Sequence, residues 1–304
     1  MKLIIGIVIA ILALILATAL TIYFLFPGLI VSAVQSSAAS NAGLERKVID
    51  IDGYEVHYYD GGVGPVLILL HGMGDEKNSF VQTAGHLTES HRVILPDLKG
   101  HGENERKSGL DYSIGGQVDF VNAFAEALEL STFSIGGNSM GGHTSVAFTI
   151  HHPSKVENLI IVNAPGLVLD DHIVYAGFEA RLESKEDLYA IMDRVVVQRP
   201  AMPDPVVSYM IKRVNADFDF LNDMADQIRS GRDHALNDHV SSIKAPTLIL
   251  WGRHDEVVKF NVAEAYDALI DTSNLIVFEN ASHSPQLEIA DDIGQAILAL
   301  LQDQ

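Results

Sequence analysis

Short apolar runs alternate with longer amphipathic stretches along the chain from about residue 44 onwards. The short runs are rich in β-branched residues and bounded by turn residues, which predicts strands. The amphipathic stretches, for example residues 117–130 and 140–150, carry apolar residues at helical spacing. This alternation is typical of βα units around a largely parallel sheet. The predicted parallel strands are residues 66–70, 92–95, 133–136, 159–162, 247–250 and 275–278.

An antiparallel pair is predicted before these units. Residues 47–51 and 55–59 read as strands, and Asp52 and Gly53 lie between them. Asp-Gly favours the tight turn of a two-residue hairpin. The sheet is therefore predicted to be mixed, with its parallel part following an antiparallel edge.

The alternation stops after Gly166. Residues 167–240 are acidic, helical in pattern, poor in strands and punctuated by proline. We expect this segment to be a helical cap inserted into one α/β core, whose two parts are residues 44–166 and 241–304.

The beginning of the chain has a different pattern. Residues 3–26 contain no charged residue, and a helix of that length reaches about 36 Å, enough to cross a bilayer core. A cleaved signal peptide is the alternative, but its apolar stretch is usually only about 7–15 residues long. We expect residues 1–31 to be a transmembrane anchor and the Ser/Ala-rich residues 32–43 to be a flexible tether.

Charged residues around the predicted span indicate its orientation. Lys2 precedes the span, and Arg46 and Lys47 are the nearest basic residues after it. The positive-inside rule therefore predicts a cytoplasmic N-terminus, with the globular part on the outer, periplasmic or lumenal side.

Composition narrows the class of function. The 304 residues are 48% apolar, which allows a sizeable core, and 40 acidic against 20 basic residues give a net charge of −20. So acidic a chain lacks the basic footprint of a nucleic-acid-binding protein and would not attract anionic lipid, so membrane attachment is expected to be hydrophobic. The absence of cysteine excludes disulfides and thiol nucleophiles. Nothing in the sequence indicates a protein partner.

A serine lies between glycines where a predicted strand runs into a predicted helix. Ser139 is the centre of Gly137-Asn138-Ser139-Met140-Gly141, which matches the GxSxG nucleophile elbow in its strand–turn–helix context. A glycine-rich turn without chemistry is the alternative interpretation. A serine hydroxyl is a weak nucleophile until a base takes its proton, so a catalytic role requires a histidine and an orienting acid.

Both partners follow in the chain. Asp255 comes just after the predicted strand 247–250, and His283 lies in the loop after strand 275–278. Sites in open α/β sheets lie at the carboxyl ends of strands, and the order Ser, Asp, His is that of the α/β-hydrolase fold. Alone, Asp255 could be a solvated carboxylate beside Glu256, and His283 a capping residue. Together they predict a catalytic triad with Ser139.

A triad of this kind also needs hydrogen-bond donors for the oxyanion of the tetrahedral intermediate. His71-Gly72-Met73-Gly74 follows strand 66–70, and its glycines allow a bend that turns the Met73 N–H towards the serine. The Met140 N–H is the expected second donor because it follows the nucleophile. We interpret His71 as a structural hydrogen-bonding residue. No metal-ligand spacing is present, so no metal is predicted.

These motifs resemble the α/β-hydrolase superfamily over about residues 54–301. Within it the chain is similar to the monoacylglycerol lipase group, which includes bacterial lipases and membrane-anchored animal enzymes with an N-terminal span. The resemblance implies hydrolysis of lipid esters such as monoacylglycerols through an acyl-enzyme on Ser139, without a cofactor. The motifs that carry it are HGMG at His71, DLKGHG at Asp97, GNSMGG at Gly137, WGRHD at Trp251 and ASHSPQLE at Ala281.

Two other functions stay open. GNSMGG also occurs in hydrolases that cleave carbon–carbon bonds in aromatic-ring breakdown products, although those look soluble and usually follow the histidine with a Trp-bearing segment. The fold also serves as a non-catalytic binding module, whose members tend to lose part of the triad. Some relatives place the acid after an earlier strand, but residues 163–166 (NAPG) carry no carboxylate here, which favours Asp255.

Overall fold

An eight-stranded mixed sheet forms the centre of the protein, in a computed structural model that describes residues 2–169, 175, 177 and 179–302. Its strands are β1 (Leu44–Ile51), β2 (Tyr54–Gly61), β3 (Val66–Leu70), β4 (Arg92–Pro96), β5 (Phe133–Asn138), β6 (Val156–Val162), β7 (Thr247–Gly252) and β8 (Ser273–Phe278). The strand order is β1-β2-β4-β3-β5-β6-β7-β8. The β1–β2 and β2–β4 pairs are antiparallel, and the other pairs are parallel. The predicted mixed sheet is confirmed.

Helices cover the sheet and extend from it. They are α1 (Lys2–Leu25), α2 (Pro27–Asn41), α3 (Val81–Ala84), α4 (Ile114–Ala127), α5 (Met140–His151), α6 (Lys185–Val195), α7 (Asp204–Ser230), α8 (Asn261–Leu269), α9 (Pro285–Glu288) and α10 (Ala290–Gln302). Short 3₁₀ turns lie at Lys77–Phe80 and Val240–Ser242. Successive residues of β3 point to opposite faces, so Ile68 joins the apolar cluster of α4, α5 and α8, and Leu67 joins that of α3 and α10.

The hairpin turn has the geometry that its sequence predicts. Ile51 pairs with Tyr54, which leaves Asp52 and Gly53 as the two loop residues. Both have positive φ, 52° and 80°. Type I′ turns require positive φ at both central positions, and Asp-Gly tolerates it.

Helices α6 and α7 lie in the described part of residues 167–240, the segment predicted to be a helical cap. They pack around a small apolar cluster of Leu188, Val207 and Leu182, which precedes α6. Ser184 and Asp187 form a capping box that starts α6. Residues 170–174, 176 and 178 of this segment lie outside the described residues.

The segment predicted as a flexible tether is different in the structure. Residues 32–41 belong to α2, which begins with Pro27 in the first helical turn, where proline is favoured. Ala39 is buried, and the Tyr209 ring of α7 lies so close to Gly28 that a Cβ there would stand 2.7 Å from it. Small residues suggest a linker by composition, but here they allow close packing, which supplies most of a helix's stability.

Helix α1 has the character of a membrane span. Residues Ile7–Leu25 have a mean hydropathy of 2.7, and none of that window is buried in the protein. Among the described residues it is the one helix long and apolar enough to cross a bilayer. A signal sequence near the N-terminus can pass the same test of length and hydropathy, so α1 is a candidate for either an anchor or a signal sequence.

Acidification is expected to destabilise the fold through His143. This fully buried α5 residue donates through Nε2 to the Asp233 carbonyl (2.9 Å) and lies 3.1 Å from the Tyr175 hydroxyl through Nδ1. Burial lowers the pKa of His143 from 6.5 to about 4. Between those values the unfolded chain binds the proton and the folded protein does not, so stability falls as pH falls, by about 2 kcal/mol at pH 5.

Urea unfolding in detergent at pH 7 and pH 5 tests this expectation. His143→Gln keeps a donor and an acceptor but cannot titrate, so it should lose less unfolding free energy between the two pH values than the unchanged protein does. Equal losses in both proteins would contradict the assignment.

Candidate active site

Ser139 lies in a sharp turn between β5 and α5. Its φ is 53° and its ψ is −121°, a conformation that non-glycine residues rarely adopt. The turn passes so close to β3 that a Cβ on Gly141 would stand 2.2 Å from the Leu70 carbonyl oxygen. Met140, the first residue of α5, has its N–H at the helix end, where backbone donors lack intrahelical partners. The local sequence thus forms the predicted elbow.

Asp255 and His283 form a buried pair. His283 Nδ1 lies 2.8 Å from Asp255 Oδ2, and the two side chains are 7% and 0% exposed. The other carboxylate oxygen, Oδ1, accepts hydrogen bonds from the N–H groups of Val257 (2.7 Å) and Val258 (2.8 Å). Because a carboxylate oxygen can only accept, the Nδ1 atom carries the proton in this contact, and Nε2 is the ring nitrogen that Asp255 does not contact.

Asn163 is a member of the site that the sequence did not predict. Its side-chain N–H donates to Asp255 Oδ2 (2.7 Å), the oxygen that His283 also contacts, and its Oδ1 accepts from the Gly252 N–H (3.1 Å). Asn163 directly follows β6, the neighbour of β7, and has a φ of 44°. The sequence signal that could have identified it is an asparagine at the carboxyl end of a core strand. Residues 163–166 were considered only for a carboxylate, which they lack.

Two contacts bring the predicted residues to one edge of the sheet. Asn138, which precedes Ser139, donates its side-chain N–H to the His283 carbonyl (2.8 Å). Residues 71–75, called here the β3 loop, approach the elbow from the other side, since a Cβ on Gly72 would lie 3.3 Å from the Ser139 Cβ. Met73 follows Gly72 directly. The structure therefore brings the segments that carry the five predicted site residues to the elbow.

His71 and the buried Lys77–Asp97 ion pair connect the region of the β3 loop to the DLKGHG segment. His71 donates through Nδ1 to the Gly72 carbonyl (2.8 Å) and accepts the Leu98 N–H through Nε2 (2.9 Å). Lys77 Nζ lies 2.7 Å from Asp97 Oδ2, with side chains 3% and 0% exposed. The loop is thus attached to the DLKGHG segment by buried polar groups that are paired with each other, as is usual for buried polar groups.

His101 is a second buried histidine near this edge, and it has a packing role. The His101 ring packs edge-on against His71, with centroids 5.1 Å apart, and burial lowers the pKa of His101 to about 3. Within the residues that the structure describes, no group of three or more histidine and carboxylate side chains is placed to hold a metal ion.

Comparison with known proteins agrees with this architecture. The family model for the alpha/beta hydrolase fold matches residues 65–196. Lipase 1 of Psychrobacter immobilis is 28% identical over 83% of this chain and 83% of its own length. The monoacylglycerol lipase ABHD6 of Mus musculus is 27% identical over 81% of this chain and 79% of its own length. The 2-hydroxy-6-oxo-2,4-heptadienoate hydrolase of Pseudomonas putida is 29% identical, over 82% and 92% respectively.

A solved structure extends the likeness to nearly the whole chain. The crystal structure of a membrane phospholipase A, described as a bacterial virulence factor, superimposes with a TM-score of 0.86 at 28% identity. The match covers 97% of this chain and 98% of that one. With its mixed sheet, inserted cap and strand–turn–helix elbow, the chain has the α/β-hydrolase fold, and its similarity to lipases and other hydrolases of that fold supports a hydrolase.

Proposed function

We propose that this protein is a membrane-anchored serine esterase that hydrolyses lipid esters, with monoacylglycerols as its substrate class. The observation that carries the proposal is the buried Asp255–His283 pair, whose histidine loop is hydrogen-bonded to the residue before Ser139. A nucleophile, a base and an orienting acid in this chain order are the parts that acyl transfer needs.

The proposed mechanism proceeds through an acyl-enzyme. Ser139 Oγ attacks the ester carbonyl carbon while His283 Nε2 takes its proton, and Asp255 stabilises the imidazolium. The backbone N–H groups of Met73 and Met140 donate to the oxyanion. The tetrahedral intermediate then expels the alcohol, which receives the proton from His283. Water, activated by the same histidine, attacks the acyl-enzyme and releases the fatty acid and free Ser139.

Three features support a lipid ester over a soluble one. The similar proteins include bacterial lipases and a mouse monoacylglycerol lipase. Helix α1 would hold the enzyme at the bilayer, where the substrate is concentrated. A groove of about 650 Å³ is lined by residues 24–29, where α1 ends and α2 begins, and by the start of α7, including Tyr209. Neither Asp255 nor His283 lines this groove.

We also propose the orientation of the chain. Lys2 before the span and Arg46 and Lys47 after β1 begins support a cytoplasmic N-terminus, with the catalytic domain outside. Protease added to right-side-out vesicles of the membrane that holds the protein, with its outer, periplasmic or lumenal face exposed, should digest the catalytic domain, and protection there would reverse the orientation.

Carbon–carbon bond hydrolysis is the second candidate, because the Pseudomonas putida ring-product hydrolase is as similar as the lipases are. The full-length enzyme in liposomes should be assayed on monoacylglycerols and p-nitrophenyl esters of graded length, beside a 2-hydroxy-6-oxo-dienoate. We expect the esters to have the higher kcat/KM. A higher value for the dienoate would select carbon–carbon hydrolysis. Failure of Ser139 to react with a fluorophosphonate would instead indicate a non-catalytic member.

Removing α1 alone is expected to separate membrane attachment from chemistry. A variant that starts at Pro27 retains α2 and the whole site, so it should be soluble and keep its turnover on short esters. Its turnover of bilayer-embedded monoacylglycerol should fall because the effective concentration of substrate is lost. Both substrates are measured in parallel on liposomes.

A second truncation controls for α2. A variant that starts at Leu44 also loses the buried Ala39 and Ala42 and should be less stable. An equal loss of both activities in the Pro27 variant would show that α1 is structural. A natural mature protein starting near Val34 would show that α1 is a cleaved signal.

A further inference from the structure

Three separate parts of the chain meet at the carboxylate of Glu76. It accepts hydrogen bonds from Gln35 of α2 (2.8 Å), from Asn78 (2.8 Å) and from Arg213 of the cap helix α7 (2.6 Å). Gln35 follows the candidate membrane span, and Arg213 lies beyond Tyr209, which packs on Gly28. The helix that leaves the membrane and the cap are thus joined at one side chain.

The ion pair between Glu76 and Arg213 is partly buried. The Glu76 and Arg213 side chains are 12% and 31% exposed. Burial works to raise the pKa of Glu76, but the hydrogen bond and charge of Arg213, with hydrogen bonds from Asn78 and Gln35, hold it below its usual value. Glu76 is therefore ionised at neutral pH, and its hydrogen bonds are of the strong, charge-assisted kind.

Glu76 comes directly after the β3 loop. The Glu76 N–H donates to Asp75 Oδ1 (2.8 Å), and the Asp75 N–H donates to the Gly72 carbonyl (3.2 Å). A second contact reinforces the connection, since a Cβ on Gly74 would lie 3.2 Å from Leu221 of α7. One end of the loop adjoins Ser139 and the other is held by α2 and α7.

We propose that Glu76 is a positioning residue that sets the place of the Met73 N–H. The inference rests on the proposed function, in which that N–H stabilises the oxyanion. A loop with glycines at 72 and 74 has many accessible conformations, whereas an oxyanion donor must lie within hydrogen-bonding distance of the developing charge. The carboxylate of Glu76 removes that freedom by tying the loop to two helices. The juxtamembrane helix thereby contributes to catalysis and not only to attachment.

The test uses the full-length enzyme in detergent with a short, soluble ester. Glu76→Ala should lower kcat about 10-fold with little change in KM, because misplaced donors weaken the transition state and not ground-state binding. Affinity for an alkylboronic acid, which forms a tetrahedral adduct on the serine, should fall in parallel. Glu76→Gln should recover part of both. Gln35→Leu, which leaves the ion pair intact, should show a smaller loss of the same kind.

Double variants and a matched control separate positioning from stability. Glu76→Ala with Arg213→Gln should lose no more than Glu76→Ala alone, because residues that act as a unit are non-additive. Arg181→Gln removes an exposed pair with Asp219, also on α7, and should leave kcat and boronate affinity unchanged.

Each remaining outcome has one meaning. If Glu76→Ala has fewer fluorophosphonate-reactive sites but an unchanged kcat per site, Glu76 is only structural and the proposal fails. Wild-type kcat and boronate affinity in both Glu76→Ala and Gln35→Leu would also overturn it. In those cases an inactive Ser139→Ala leaves the proposed esterase function standing. An active Ser139→Ala would instead reject the proposed function itself.

Discussion

Replacing Ser139 by alanine is expected to lower ester turnover by about a millionfold, because the triad acts as a unit and only oxyanion and binding effects persist without the nucleophile. Ser139 is the residue that the elbow holds at positive φ. Loss of the hydroxyl oxygen creates no large cavity, so the fold should persist. Steady-state kcat/KM on a short p-nitrophenyl ester, with circular dichroism as the folding control, measures the loss.

His283→Ala should be as severe, since the serine hydroxyl then has no base. The double variant Ser139→Ala/His283→Ala should be no worse than either single variant. Removal of the nucleophile or the base of a triad lowers kcat by several orders of magnitude. If either single variant kept more than about a tenth of the activity, the proposed triad would be wrong.

Asp255→Asn is expected to reduce kcat by up to about ten-thousandfold, less than loss of the nucleophile, because the acid orients and stabilises the histidine and does not attack. An amide at this position can present an N–H to His283 Nδ1, which favours the wrong tautomer. If the new amide group takes the place of Asp255 Oδ2, its N–H also faces the side-chain N–H of Asn163, because that oxygen now accepts hydrogen bonds from both Asn163 and His283. The measurement is kcat on the same ester.

Glu256→Gln is the matched control for Asp255→Asn. The two carboxylates are adjacent in sequence, but Asp255 is buried and Glu256 is exposed. Glu256→Gln should therefore keep nearly wild-type kcat. A larger loss from Glu256→Gln than from Asp255→Asn would transfer the role of the acid to Glu256.

Much of the architecture could be read from local patterns. The apolar runs marked the parallel strands because strands buried on both faces of a sheet must be apolar throughout. The hairpin, the elbow and the placing of Asp255 and His283 after the consecutive parallel strands β7 and β8 depend on residues that are neighbours in the chain. Composition also indicated a hydrophobic membrane segment, which α1 matches.

Other features depend on partners distant in the chain. Asn163 meets Asp255 across 92 positions, and Glu76 meets Gln35 across 41 and Arg213 across 137. A side-chain amide or a loop glutamate has no local signature for such a contact. The sequence places the triad candidates after three parallel strands of the sheet, but only the folded chain defines what holds them in position.

Helix α2, which follows α1, shows most clearly the difference between what local sequence determines and what tertiary contacts decide. By composition, serine and alanine between Ser32 and Ala42 are equally suited to a linker or to a helix, because both are small and neither buries much apolar area by itself. Helix propensity alone stabilises a segment of this length only marginally in water. Contact with α7 and with the core around Ala39 supplies the missing stability. The sequence determines where the apolar helix α1 ends, and tertiary packing makes the next residues a helix.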